Sequence, residues 1–135
     1  MVAQKGRDLL LKIANGGAYE TIAGMRSHRI ALNAETVDIT DRDSAGRWRE
    51  LLGAAGSQRA SISGAGIFKD QASDALVRTA FFEGALLDCQ VVIPDFGTLS
   101  GPFQVTALEY SATHNAEIGF DLALESAGAL DFTVL

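Results

Sequence analysis

The stretch EIGFDLALES, residues 117–126, alternates with a period of two. Ile118, Phe120, Leu122 and Leu124 fall on one parity. Glu117, Asp121 and Glu125 fall on the other, with only Gly119 and Ala123 between them. Successive residues of a β-strand point to opposite faces, so this pattern reads as a strand with one apolar and one acidic face. Ten strand residues span about 33 Å. The preceding segment, Phe103 to Thr113, is of similar length, and a turn at His114-Asn115 joins the two into a tall hairpin. Neither strand carries Lys, Arg or Pro inside it, so nothing blunts its edges against pairing with another chain.

The remaining segments extend the same texture. Leu9 to Ala14 and Tyr19 to Met25 flank Asn15-Gly16-Gly17, a sequence suited to a tight hairpin turn. His28 to Asn33, Thr36 to Thr40, Arg59 to Phe68, Asp88 to Ile93 and Thr98 to Leu99 read as further strands. In Thr36–Thr40, Val37 and Ile39 oppose Thr36, Asp38 and Thr40. Gly64 and Gly66, inside a strand, mark a bulge or a close approach of another backbone. Two segments read as helical. Asp70 to Gly84 has Ala72, Ala75, Leu76, Thr79 and Ala80 at helical spacing and a glycine stop. Ala45 to Ala55, with Ser44 as N-cap, supports two to three turns at most. The expected architecture is mainly β, a β-sandwich or small barrel of about eight strands with one flanking α-helix. At 135 residues the chain is expected to form a single domain, 1–135.

Charge and composition narrow the function. The net charge of −6 lacks the basic footprint of a nucleic-acid binder. A single cysteine, Cys89, forbids an intramolecular disulfide and fits a reducing compartment. The apolar run Leu9–Leu11 is too short for a signal-peptide core or a membrane span, so the chain is expected to be made and used without secretion.

No catalytic constellation emerges. His28, His114 and Cys89 are not spaced as metal ligands, and Cys89, just before an apolar run, reads as a small core residue. Asp95-Phe96-Gly97 spells a kinase magnesium motif without its partner motifs, and reads as a turn between strands. Gly64-Ala65-Gly66 lacks the third glycine and the helix of a dinucleotide fingerprint. Acids four apart on a strand are separated by about 13 Å, too far for an acid–base pair. No enzymatic activity, metal or cofactor is expected. The acidic face then has two readings. It is the solvated side of an antiparallel sheet. Alternatively, identical subunits set these hairpins side by side in a ring, and the acids line a hole through which a polyanion slides without binding.

Three blocks carry a family resemblance: SAGRWRELL (44–52), SISGAGIFKDQASDALVRTAFFEG (61–84), and VVIPDFGTLSGPFQVTALEY followed by ESAGAL. In this order they resemble the major tail protein, or tail-tube protein, of long non-contractile-tailed phages, and most closely the version carried by gene transfer agents. The resemblance implies a β-sandwich with a flanking helix that forms hexameric rings stacked into a hollow tube. The inner sheets would join as one barrel around a lumen that conducts DNA to a recipient cell. The implied partners are further copies of the chain, DNA in transit, and the tape measure, tail terminator and distal tail proteins, with no membrane. The implied location is the tail of a phage-like particle assembled from protein made in the bacterial cytoplasm. Glu117, Asp121 and Glu125 are the lumen-facing candidates. The segment from Thr40 to Gln58 corresponds to a loop that contacts neighbouring subunits and rings, making Trp48, Arg47, Arg49, Glu50 and Leu52 the inter-subunit candidates. The alternatives are a related secretion-tube or tail-completion component, and a small β-barrel binding an apolar ligand.

Overall fold

The computed structural model describes residues 9–22, 24–69, 71–112 and 114–134, the side chain of Arg47 excepted. Eight strands form one antiparallel sheet: β1 (Leu10–Asn15), β2 (Ala18–Thr21), β3 (Met25–Ala34), β4 (Gln58–Ile67), β5 (Leu86–Ile93), β6 (Gly97–Ser111), β7 (Gly119–Ser126) and β8 (Asp131–Val134). The order across the sheet is β2-β1-β5-β6-β7-β4-β3, with β8 also on β6. One helix, α1 (Ala72–Glu83), links β4 to β5.

The 15 residues of β6 organise the fold. Gly97 to Gln104 pairs with β5, while Phe103 to Ser111 pairs with β7. The sheet folds on itself about this strand, and its two halves share one core. Leu11 and Ile13 of β1 and Cys89 and Val91 of β5 pack in the same cluster as Ile62 of β4 and Phe120, Leu122 and Leu124 of β7. Each fully buried Leu or Phe contributes about 1.5–3 kcal/mol relative to an exposed one.

A bulge in β6 between Val105 and Ala107 makes the shared core possible. Leu99, Phe103 and Val105, all odd-numbered, face the core before it; Leu108, an even-numbered residue that pairs with buried Leu122, faces it after. One inserted residue inverts the parity and adds twist. Thr106 takes up the irregularity, its hydroxyl donating to the Ala123 carbonyl at 3.2 Å.

Several sequence expectations are refined. The first hairpin turns at Gly16-Gly17, both with positive φ (60° and 95°), a conformation that needs no Cβ. Tyr19 to Met25 is not one strand: β2 ends at Thr21 and Met25 already belongs to β3. Thr98–Leu99 and Phe103–Thr113 are not separate strands but parts of β6, which continues through Pro102 and ends at Ser111; Thr113 lies outside the described residues. The glycines of β4 do mark close approach. A Cβ on Gly64 would strike the Met25 side chain, and one on Gly66 would strike the Gly24 carbonyl, where β3 itself bulges.

Helix α1 forms where expected, but Asp70 lies outside the described residues. Its buried face is Ser73, Asp74, Val77 and Ala80, whereas Ala72, Ala75 and Thr79 are exposed. A capping box holds its start: the Gln71 N–H donates to Asp74 Oδ2 at 3.0 Å. The second helix does not form. Ala45–Arg47 makes a single 3-10 turn, with Gly46 at φ 61° and Trp48 already extended. Strand β8 was not anticipated. It pairs only with Gly97–Ser100, along the edge of β6 that β7 does not reach.

Candidate functional site

The charged face is built on β7. Phe120, Leu122 and Leu124 turn inward, so Asp121, Ala123 and Glu125 turn outward. Register aligns each with its neighbours. Asp121 lies between Glu109 of β6 and Ala65 of β4; Ala123 lies between Ala107 and Ser63; Glu125 lies between Gln104 and Ser61. Strand β3 completes the rows with Ser27, Arg29 and Ala31, while Asn33 pairs with Arg59 one step further on. Small side chains (Ser63, Ala65, Ala107 and Ala123) floor a shallow groove of about 420 Å³, rimmed by Arg29 on one side and by Glu109 and Asp121 on the other.

Two of the three predicted acids, Asp121 and Glu125, therefore share this face. Glu117 does not lie on the strand: it is exposed in the segment before β7 begins at Gly119. Glu109 joins the face instead, directly opposite Asp121. Carboxylates directly opposed across an antiparallel pair have Cβ atoms about 4.5–5.5 Å apart and destabilise one another. Both are exposed, so water screens the repulsion. The hairpin of β6 and β7 brings no basic residue to this face, but the neighbouring strands do. Arg29 and Arg59 lie on the same face: Arg29 sits on β3, two strands from Asp121 and Glu125 on β7, whereas Arg59 sits on β4, diagonal to Glu125, whose partner is Ser61. The face is thus bipolar, positive at the β3 edge through Arg29 and negative at the β6 edge through Glu109, with Arg59 and Glu125 near each other between them.

The other candidates lie on an arm between β3 and β4. The β3–β4 hairpin continues past the sheet as a narrow ribbon. Backbone bonds run from Glu35 N to Ser57 O (2.8 Å), Leu52 N to Val37 O (2.8 Å) and Ile39 N to Glu50 O (3.0 Å), with Asp38 bridged to Leu51. One face is polar. Arg49 reaches Asp38 at 3.6 Å and donates to Thr36 Oγ1 at 3.3 Å. The Thr40 hydroxyl accepts from Glu50 N at 2.7 Å, and the Thr40 N–H donates to Asp38 Oδ1 at 2.8 Å. These bonds to Thr40, with a smaller contribution from Arg49, hold the Asp38 carboxyl below its ordinary range. The alternation read in Thr36–Thr40 is real, although Asp38 makes only an isolated bridge and no strand is completed. The opposite face carries Val37, Ile39 and Leu52, all exposed, and Trp48 at the tip is 77% exposed. No layer of the subunit covers this apolar side. Arg47 contributes backbone to the 3-10 turn at the tip.

The remaining titratable candidates are dispersed. His28 is half-buried on β3 and His114 sits in the exposed β6–β7 turn. Cys89 is fully buried on β5. Among the described residues, no three His, Cys, Asp or Glu side chains converge as metal ligands do.

Open sheet edges, a charged solvated face and an uncovered apolar arm are the marks of a subunit built to assemble with others. The chain belongs to the phage tail tube protein family, whose model matches residues 3–132, and it is a structural subunit of a tail tube. It is 54% identical to a chain in the virion of a native gene transfer agent particle, covering 98% of this chain and 100% of that one, with a TM-score of 0.92. The same identity and coverage hold for a chain in the tail of an empty gene transfer agent particle refined with C6 symmetry, at a TM-score of 0.94. The SPP1 tail tube shares the fold at 15% identity, covering 97% of this chain and 79% of that one, with a TM-score of 0.75. Among curated proteins nothing matches.

Proposed function

We propose that six copies of this chain form a ring, that rings stack into the tail tube of a gene-transfer-agent-like particle, and that the outward face of β6, β7, β4 and β3 lines the lumen. The C6 symmetry of the tail to which the chain is 54% identical supports the ring. The observation that carries the lumen assignment is the groove floored by small side chains and rimmed by Arg29, Glu109 and Asp121, with Glu125 further along the same face. A wall of short side chains keeps the bore open. Its three carboxylates, Glu109, Asp121 and Glu125, outnumber Arg29 and Arg59, so the wall is slightly negative on balance and DNA is conducted rather than retained. Glu117, before β7, extends this acidic set beyond the strand. The function is structural and involves no catalytic step.

The arm is read as the contact with neighbouring subunits and rings. Trp48, Val37, Ile39 and Leu52 supply an apolar surface with nothing of its own subunit over it, and exposed aromatic and aliphatic anchors of this kind dominate interfaces. Arg49 and Glu50 hold the ribbon's shape through Asp38, Thr36 and Thr40, and Arg47 lies at its tip. The ends of a tube need different partners, and tape measure, tail terminator and distal tail proteins are the classes proposed for them.

The test is a double charge reversal, Asp121→Lys with Glu125→Lys, introduced into producing cells. Both side chains are exposed, so folding and tube formation are expected to persist while DNA transfer falls by about tenfold or more. Tubes with undiminished transfer would overturn the lumen assignment.

A further inference from the structure

The half-sheet of β6, β7, β4 and β3 ends in two open edges. Strand β3 pairs only with β4. On the other side β5 stops pairing at Gln104, leaving β6 from Val105 to Ser111 bonded to β7 alone. These edges carry opposite charge. Strand β3 contains Arg26, His28 and Arg29 and no acid; Val105–Ser111 contains Glu109 and no base. All pairings in this half are antiparallel, so β6 and β3 run in opposite directions. The β6 of a second copy laid beside β3 therefore continues the antiparallel alternation without a break.

Register places Arg29 and Glu109 on the same face. Arg29 pairs with Ser63, Ser63 with Ala123, and Ala123 with Ala107; Glu109 is the next residue of Ala107's parity. Neither makes an ion pair among the described residues, where Arg49–Asp38 is the one bridge. Glu109 instead faces a like charge on Asp121.

Resting on the tube reading above, in which the inner sheets of neighbouring subunits join edge to edge, we propose that Arg29 on the β3 edge of one subunit forms an ion pair with Glu109 on the β6 edge of the next copy. A joint that carries the row of Arg29, Ser63, Ala123 and Ala107 straight into the next copy sets Glu109 diagonal to Arg29 at about 7–8 Å, and a joint shifted by one pair sets them directly opposite, with Cβ atoms about 4.5–5.5 Å apart. A guanidinium reaches a carboxylate from either position. The pair relieves the repulsion between Glu109 and Asp121. It also selects the geometry of assembly. Two β3 edges repel through their arginines and two β6 edges through Glu109, so a symmetric edge-to-edge dimer is disfavoured. The head-to-tail joint that closes a ring is left as the attractive one.

The experiment compares wild type, Arg29→Glu, Glu109→Arg and the double swap, all as full-length chains assembling into tails in producing cells, with each purified chain checked for folding by circular dichroism. Each single variant is expected to fold and to lower tube yield by about tenfold or more. The double swap is expected to restore yield to within a few-fold of wild type. A second variant, Arg29→Cys with Glu109→Cys, is expected to give covalent multimers with a short bis-maleimide linker only in assembled tubes. Wild-type tubes combined with no rescue by the swap and no cross-linking would overturn this joint while leaving the tube standing. A wild-type chain that never enters tails would overturn both.

Discussion

At the residue scale, Cys89 illustrates how the core fixes chemistry. It is fully buried opposite Ile13 and Gly101. Burial, aided by the neighbouring Asp88 charge, pushes its thiol up to about 12. Thiolate is the reactive form, so the native protein is inert. Native protein at pH 8 is expected to resist maleimide over hours, while denatured protein labels at one site. Labelling of the native protein at the rate of a free thiol would contradict the packing. The sequence made this residue legible, because a lone cysteine heading an apolar run has no catalytic neighbours. It also made Asp121 and Glu125 legible, through unbroken alternation. Glu109 escaped, because its parity matches Phe103 and Val105 until the bulge at Thr106 inverts it. The signal was present: apolar residues switch from odd to even between Val105 and Leu108.

At the element scale, the arm shows where local pattern and tertiary context part. Alternation in Thr36–Thr40 was readable, and the ribbon confirms that its two faces differ. The weak helix was not realised. Gly46 adopts a left-handed conformation and the strand-like return from Trp48 pairs with Val37 and Ile39 instead. Strand β8 was illegible for another reason. Its four residues, Asp-Phe-Thr-Val, alternate but are too few to mark a strand, all are exposed, and only the vacant edge of β6 defines them. An arm whose apolar side is bare contributes little to the stability of its own subunit. Trp48→Ala with Leu52→Ala is therefore expected to shift unfolding free energy by only about 0.5 kcal/mol. The same variant is expected to abolish tube formation, as measured by sedimentation and negative-stain microscopy. A large loss of stability with assembly intact would reverse the assignment.

At the scale of the whole molecule, a modest domain is turned into a building unit by how its sheet ends. The fold closes one core around β6 but leaves one edge of β3 and one edge of the far half of β6 open, with charges of opposite sign. Fold class and family were legible because alternation, turns and block order survive in a single sequence. The bipolar face was not, because Arg29 and Arg59 lie far from the acids in the chain and meet them only through the β3–β4–β7–β6 register. A cryo-EM reconstruction of assembled tubes tests the central claim most directly. The account predicts a continuous antiparallel barrel whose lumen is lined by the β6-β7-β4-β3 faces, with Asp121 and Glu125 pointing into the bore. A lumen lined by α1 or by the β2-β1-β5 half, with those two carboxylates turned away from the bore, would contradict it.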